Sequence, residues 1–287
     1  NAGGAITTGS DNVVMGSNAL AATTTGQDNV AIGRRSLENN TASSNTAVGF
    51  DSLRANTTGT LNTAVGGLAL DANTTGDSNV AIGYEALSAN TTASNNTAVG
   101  RQSMLSNTTG ANNTAVGHEA LEANTTGGTN TAFGYEALLS NTTGGQNVAV
   151  GANALDASTT ADNNCAVGYN ALTSNTTGDL NTAIGNFAMG NCTNVDRNVA
   201  VGYATLQNIA ADQGDTYHTC VGYFAGNAIT TATQQTHVGT NAGSSVTTGN
   251  SNTFMGYNAG TSTTTGAHNT AVGRAVFQNN TTGGNNT

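Results

Sequence analysis

A glycine returns at a fixed interval along almost the whole chain, and this periodicity constrains the fold more than any other feature. It recurs in sixteen successive units, 17 residues apart except for one interval of 16 (Gly33 to Gly49) and one of 20 (Gly202 to Gly222). Numbered from its first Asn as position 0, the unit reads N-[TV]-A-[VI]-G-x-x-[AS]-L-x-x-N-T-T-G-x-x, which puts this glycine at position 4. Self-similarity of this kind is typical of architectures in which each unit packs on the next. We therefore expect one continuous repeat array over residues 1–287.

The length of the unit selects the fold class. Seventeen residues are too few for helix-pair repeats, which need about 33, but they suit one coil of a β-solenoid. N-T-A-V-G has the β-branched residues of a strand, N-T-T-G has residues that tolerate left-handed backbone angles, and A-L supplies a second apolar patch. A helical turn in segments such as "YEAL" (84–87) is the alternative for that patch. The sequence predicts an all-β, single-chain parallel β-roll of about sixteen coils.

Two variations of the repeat indicate what lies inside the coil. The shortened unit (39–45) and the lengthened one (211–217) change length in or beside the turn, so the apolar positions stay in phase. Position 2 is Ala and position 8 is Leu or Met in twelve units each, but three consecutive units pair Cys220, His237 and Phe254 with glycine at position 8. A close-packed interior requires such an exchange of large and small residues. Positions 2 and 8 are thus expected to share one core, with His237 packed inside it.

If position 2 points inward, the alternation of a strand points position 3 outward. Position 3 is apolar in every unit, which predicts a long hydrophobic row of the kind that is rarely left in water. Copies of the same chain around an axis are the simplest cover; a bulged coil with both rows inside is the alternative. The predicted oligomer-facing row comprises Val48, Val65, Ile82, Val99, Val116, Val150, Val167 and Ile184.

The repeated "NTAVG", "NVAIG" and "NVAVG" segments resemble the head repeats of YadA-like trimeric autotransporter adhesins. The longer "NTAVGYEAL..NTTG" unit also resembles repeat regions of phage tail-fibre proteins. The resemblance covers essentially the whole chain and implies a left-handed parallel β-roll that trimerises along a fibre axis outside the cell, on a virion or cell surface. The unit of 17 residues is longer than the roughly 14 of the adhesin heads.

The ends and the composition narrow the range of partners. Neither end of the sequence shows a capping unit, which favours a segment of a longer fibre protein; end-to-end stacking into a filament is the alternative. The formal net charge is −10, with six Arg, no Lys and no basic run, so we expect no nucleic-acid partner. No apolar stretch reaches the ~18 residues of a membrane span, so we expect no membrane insertion in this segment.

No pattern in the chain points to catalysis, a metal or a cofactor. The chain lacks G-x-S-x-G, H-E-x-x-H, P-loop and C-x-x-C motifs. The four His and the three Cys occupy different positions of the unit, so they do not form metal-binding columns. Glutamates such as Glu85, Glu119 and Glu122 recur at positions 6 and 9, where a solvated outer face explains them. We expect neither an enzyme nor a cofactor.

Three columns are candidates for binding or modification. Position 5 collects aromatic residues beside Asn and Asp, a combination that suits saccharides, although packing over the neighbouring coil is the simpler interpretation. Position 0 is mostly Asn, for which a coil-to-coil amide ladder is sufficient. The N-T-T segment matches the N-glycosylation sequon, but turn chemistry predicts the same letters. The aromatic candidates are Phe50, Tyr84, His118, Tyr135, Tyr169, Tyr203, Tyr223 and Tyr257, and the sequon candidates are Asn56, Asn73, Asn90, Asn107, Asn124, Asn141, Asn175 and Asn280.

These features favour a structural and adhesive fibre: the shaft or head of a phage tail fibre or bacterial surface adhesin, acting as a rigid rod with a multivalent surface. A self-assembling, glycosylated extracellular filament is the alternative. Ice binding is a third hypothesis, weakened because the Thr column at position 1 is interrupted by Val30, Val80, Val148, Cys165 and Val199.

Overall fold

A computed structural model describes residues 2–210 and 214–287 of the chain as two compact units, Asn1–Gly145 and Gln146–Thr287. The described residues form short β-strands joined by turns, and none of them lies in a helix. Within each unit the strands of successive coils are parallel neighbours, so each unit is a parallel β-solenoid. The prediction of an all-β, parallel β-solenoid is confirmed.

Unit 1 contains one parallel strand per coil, each formed by positions 1 to 3 of the repeat. Successive strands pair in register, so that Thr97, Ala98 and Val99 lie beside Thr114, Ala115 and Val116. The strands are β1 (Val13–Met15), β2 (Val30–Ile32), β3 (Thr46–Val48), β4 (Thr63–Val65), β5 (Val80–Ile82), β6 (Thr97–Val99), β7 (Thr114–Val116) and β8 (Thr131–Phe133).

Unit 2 repeats this arrangement with eight strands and adds a pair of two-residue strands, β12 and β14, that lie beside each other. The strands are β9 (Val148–Val150), β10 (Cys165–Val167), β11 (Thr182–Ile184), β12 (Val195–Asp196), β13 (Val199–Val201), β14 (Gly214–Asp215), β15 (Thr219–Val221), β16 (Thr236–Val238), β17 (Thr253–Met255) and β18 (Thr270–Val272).

The alternation of side chains along each strand separates core from surface. Position 2 is buried in every coil from Ala31 onward, whereas no residue at position 3 is buried. Ala98, for example, is fully buried between Thr97 and Val99, which are both partly exposed. The prediction of an outward apolar row is confirmed, and the bulged coil with both rows inside is wrong.

The segment after each glycine is a turn with left-handed backbone angles, not a helix. In the "YEAL" segment, Glu85 has φ 55° and Leu87 has φ 54°, values that no right-handed helix contains. The alternative of a helical turn is therefore wrong. Leucines rarely adopt this conformation because their Cβ crowds the backbone, at a cost of about 1 kcal/mol or more. Leu87 is fully buried, and this burial offsets the strain.

The large-and-small exchange between positions 2 and 8 is present as predicted. His237 and Phe254 are fully buried, and their rings stack with centroids 5.1 Å apart. A Cβ on Gly243 would collide with the His237 ring, and a Cβ on Gly260 would collide with the Phe254 ring. Both glycines have positive φ, 58° and 64°. Glycine therefore relieves the backbone strain of position 8 and makes room for the ring of position 2.

The irregular units change length at the corners, as predicted, and the sheet register is kept. Val30 pairs with Thr46 across the shortened unit, and Val199 pairs with Thr219 across the lengthened one. Part of the insertion, 211–213, lies outside the described residues. Gly214 and Asp215 form β14, and Asp215 forms an ion pair with Arg197.

Candidate functional surfaces

The outward face of the main sheet strands, positions 1 and 3, is uncharged in every coil. Position 1 is Thr, Val or Cys, and position 3 is Val, Ile, Met or Phe. Phe133 is 54% exposed and Ile82 is 40% exposed, whereas Val99 and Val116 are half-buried. Three residues per strand at ~3.3 Å and eight strands at ~4.8 Å give this face about 380 Å² in each unit. The apolar row of position 3 runs along this whole face, and contiguous exposed apolar surface of a few hundred Å² often marks an interaction site. All eight residues of the predicted oligomer-facing row lie on this face.

The tyrosines of position 5 are exposed, as a binding column requires. Their exposed fractions lie between 43% for Tyr203 and 51% for Tyr135 and Tyr257. They do not form one uniform column, because other residues interrupt it. The predicted tyrosines Tyr84, Tyr135, Tyr169, Tyr203, Tyr223 and Tyr257 therefore occur in different surroundings.

In unit 1 the column is charged. The ring of His118 stacks on Tyr135 with centroids 5.5 Å apart. Arg101 Nη1 lies 2.9 Å from His118 Nε2 and 3.4 Å from a carboxylate oxygen of Glu119. A hydrogen bond to the Glu85 carboxylate raises the pKa of the Tyr84 hydroxyl. Rings here sit among guanidinium, imidazole and carboxylate groups.

In unit 2 the column is aromatic and continuous over several coils. Tyr203 stacks on Tyr223 with centroids 5.4 Å apart, and the ring of Phe187 packs edge-on against Tyr169 and Tyr203. Phe224 packs edge-on against Tyr203 and Tyr223. Sequence reasoning missed Phe187 and Phe224, because they stand at position 6, which was interpreted as a solvated polar column. Their aromatic character, at a position that is polar in most other coils, was the available signal.

The asparagines of position 0 form the predicted coil-to-coil ladder. Asn96 donates its backbone N–H to Asn79 Oδ1 at 3.0 Å, and Asn113 donates to Asn96 Oδ1 at 2.9 Å. Most of the side-chain amides also bond to the carbonyl of a neighbouring turn, as Asn113 Nδ2 does to Gly127 O at 2.9 Å. Because these groups satisfy one another, the ladder explains the column without a ligand.

The sequon asparagines of position 11 form a second, buried ladder. Asn124 Nδ2 donates to Asn107 Oδ1 at 2.7 Å and to Gly127 O at 2.9 Å. N-glycosylation attaches sugar to this nitrogen, which in the folded chain is out of reach of a glycosyltransferase. Asn280 differs: it is half-buried and donates to Gly283 O at 3.0 Å, so its glycosylation stays a prediction. The fully buried sequon residues are Asn56, Asn73, Asn90, Asn107, Asn124, Asn141 and Asn175.

The buried histidines and cysteines belong to the core. Burial lowers the pKa of His237 to about 3 and that of His218 to about 4. Neither ring nitrogen of His237 has a hydrogen-bond partner within the described residues. Burial also raises the pKa of the Cys192 thiol to about 12 and raises that of Cys220. Across residues 2–210 and 214–287, no group of three or more His, Cys, Asp or Glu side chains is placed to hold a metal ion.

Neither a cavity nor a membrane span nor a similar known protein indicates a further site. The described part of the chain has no pocket and no helix that could cross a membrane. The chain's features of interest are therefore its surfaces: the uncharged sheet face and the aromatic column. No family model, no curated protein and no solved structure matches the chain.

Proposed function

We propose that the chain is a segment of a structural and adhesive fibre, the shaft or head of a phage tail fibre or bacterial surface adhesin, outside the cell. In this proposal three copies associate through their sheet faces around the fibre axis, and each chain winds as a left-handed β-roll. The resemblance of the repeats to YadA-like heads and tail-fibre regions supports this choice.

The observation that carries the proposal is the uncharged sheet face with its apolar row. Position 3 is apolar in sixteen coils and buried in none of them, although the fold buries alanine efficiently at position 2. An apolar row that the fold itself does not need is best explained by a partner.

A second copy of the chain is the partner that fits this face. A copy has the same spacing between coils, so its row matches residue for residue over many coils. The face carries no charge, so identical faces meet without repulsion, and a closed ring of copies buries every row. Association over many coils also stiffens a rod, because each chain restrains its neighbours.

The two alternative functions have less support. A glycan-coated filament would use the sequons, and seven of the eight are buried. An ice-binding face would use a regular threonine array, and the Thr column at position 1 contains several valines and Cys165.

Solution mass of matched variants tests the proposal. Val99→Asp with Val116→Asp places two carboxylates in the sheet face and is expected to reduce the oligomer to monomers. Thr109→Asp with Thr126→Asp places the same charges at exposed corner positions of the same coils and is expected to leave the mass unchanged. An equal mass for both variants, with folding intact by circular dichroism, would refute the sheet face as the interface.

A further inference from the structure

Five aromatic side chains form one continuous surface cluster in unit 2, which we call the aromatic patch: Tyr169, Phe187, Tyr203, Tyr223 and Phe224. Their ring centroids are linked at distances of 4.4 to 6.0 Å. The three tyrosines are between 43% and 49% exposed, and the two phenylalanines are half-buried. The chain has seven Tyr and six Phe, so more than a third of its phenyl rings lie in this one patch.

The coil itself does not require rings at these positions. Phe187 and Phe224 stand at position 6, where other coils place Arg35, Glu85 or Asn241. Position 6 has a left-handed backbone, φ 59° at Phe187 and 55° at Phe224, a conformation that Asn accepts more readily than Phe. Because the backbone at this position disfavours phenylalanine, the two rings indicate a function of the ring surface other than folding of the coil.

The rings of the patch are oriented in two directions. The planes of Tyr203 and Tyr223 are within 14° of parallel, with centroids 5.4 Å apart, so these two rings stack along the column. The planes of Phe187 and Phe224 lie at 78° to 89° to the tyrosine rings. The patch thus combines stacked phenol rings, whose hydroxyls can donate and accept hydrogen bonds, with phenyl rings set crosswise to them.

Amides are frequent in the segments that contain the patch, and the carboxylate of Asp156 in the preceding coil contacts one of these segments, where it accepts a hydrogen bond from Thr173 Oγ1 at 2.6 Å. Segments 169–177, 186–194, 203–210 and 223–231 contain no Asp, Glu, Lys, Arg or His. Asn186 is exposed and accepts the Tyr169 N–H at 3.1 Å through its Oδ1. Asn191 Nδ2 donates to Asn208 Oδ1 at 2.8 Å on the surface. In unit 1, by contrast, the same column contains Arg101, His118 and Glu119 in mutual contact.

We infer that the aromatic patch is a binding site for neutral polysaccharide. The C–H faces of a pyranose ring are apolar and pack on aromatic rings, while its hydroxyls pair with amide and phenol groups, which both donate and accept. A sialylated, sulfated or phosphorylated glycan would require cationic partners, and the four segments contain none. The inference rests on the proposed function and names the ligand for its adhesive part. Copies of the site along a fibre would increase the overall binding strength through avidity.

Affinity electrophoresis of the full chain through gels containing a neutral polysaccharide tests the inference. The neutral probes are mannan, a soluble β-glucan and a galactan, and the charged probes are heparin and polysialic acid. At least one neutral probe is expected to retard the chain, and the charged probes are not. Phe187→Asn with Phe224→Asn restores an amide common at position 6, so folding is preserved, and retardation is expected to fall at least about tenfold, as the loss of buried aromatic contact implies.

Tyr84→Ala is the matched control, because it removes an exposed ring of the same column outside the patch, and it is expected to bind as the parent does. Absence of retardation by all three neutral probes, or equal retardation by charged probes, would overturn the inference. So would a lower solution mass of the Phe187→Asn, Phe224→Asn variant, since the patch would then be a contact between copies. The fibre proposal is judged separately by the sheet-face variants.

Discussion

Phe254 occupies the space into which a side chain on Gly260 would project, so the two residues form one packing pair across the coil. Twelve coils fill the same space with Ala or another small residue at position 2 and Leu or Met at position 8. The pair therefore shows that the coil fixes the total volume of its core and not the identity of either residue.

The pair predicts strong coupling between two substitutions. Gly260→Leu alone should destabilise the chain by about 1–3 kcal/mol through overpacking, and Phe254→Ala alone by about 3–5 kcal/mol through a cavity. The double variant restores the common Ala–Leu combination and should be more stable than the sum of the single effects by about 2 kcal/mol or more. Urea unfolding of the four proteins measures this, and additive effects would contradict a shared core.

His237 predicts a pH dependence of stability with a definite sign. Its pKa is about 3 in the folded chain and about 6.5 when unfolded, so the unfolded state binds more protons between these values. Stability is then complete above about pH 6.5 and falls with acidification, by up to about 1.4 kcal/mol per pH unit for this group. The His237→Phe variant reproduces the combination found at Phe254, a phenylalanine at position 2 with glycine at position 8. It also removes both unpartnered ring nitrogens of His237.

We expect His237→Phe to be at least as stable as the parent at pH 7 and to lose less stability between pH 6.5 and 4.5. Thermal unfolding at several pH values measures the difference, which isolates His237 from the carboxylates common to both proteins. Parallel pH profiles would show that His237 does not stay neutral in the core.

The ladder of buried asparagines predicts that replacing a single asparagine lowers the stability of the fold strongly. Asn124→Ala removes the acceptor of Asn141 Nδ2, which lies at 2.9 Å, and the donor to Gly127 O. Leaving buried polar groups without partners should cost about 2–4 kcal/mol. Thr126→Ala, two residues along at the exposed corner, should cost less than about 0.5 kcal/mol. Similar melting temperatures for both variants would argue against the ladder.

The three thiols predict a reactivity pattern that also reports on the sheet face. Cys192 and Cys220 are buried with raised pKa values, so a thiol reagent should not reach them before unfolding. Cys165 is partly exposed at position 1 of the sheet face. If copies cover this face, Cys165 should react slowly in the parent and at least about tenfold faster in an interface variant such as Val167→Asp. Rapid reaction of Cys165 in the parent would mean an uncovered face.

The strands and the core could be predicted because the sequence itself shows two patterns. These are the alternation of side chains along a strand and the exchange of large and small side chains between positions 2 and 8. Ala98 between Thr97 and Val99 shows the alternation of a strand, and Phe254 with Gly260 shows the volume exchange. The left-handed angle of Leu87 could not be predicted, because local preference opposes it and only packing across the coil enforces it. The sequence could not show whether Asn124 is buried or glycosylated, because a turn, a buried asparagine ladder and a sequon all favour the same N-T-T residues.

The mass of the unmodified chain in solution tests the central claim most directly. Sedimentation equilibrium over a range of concentrations should give a single species of three times 28.4 kDa, because association through the sheet face is expected to cover every apolar row. A stable mass of 28.4 kDa at all concentrations would contradict the account, since the apolar face would then stand in water without a partner.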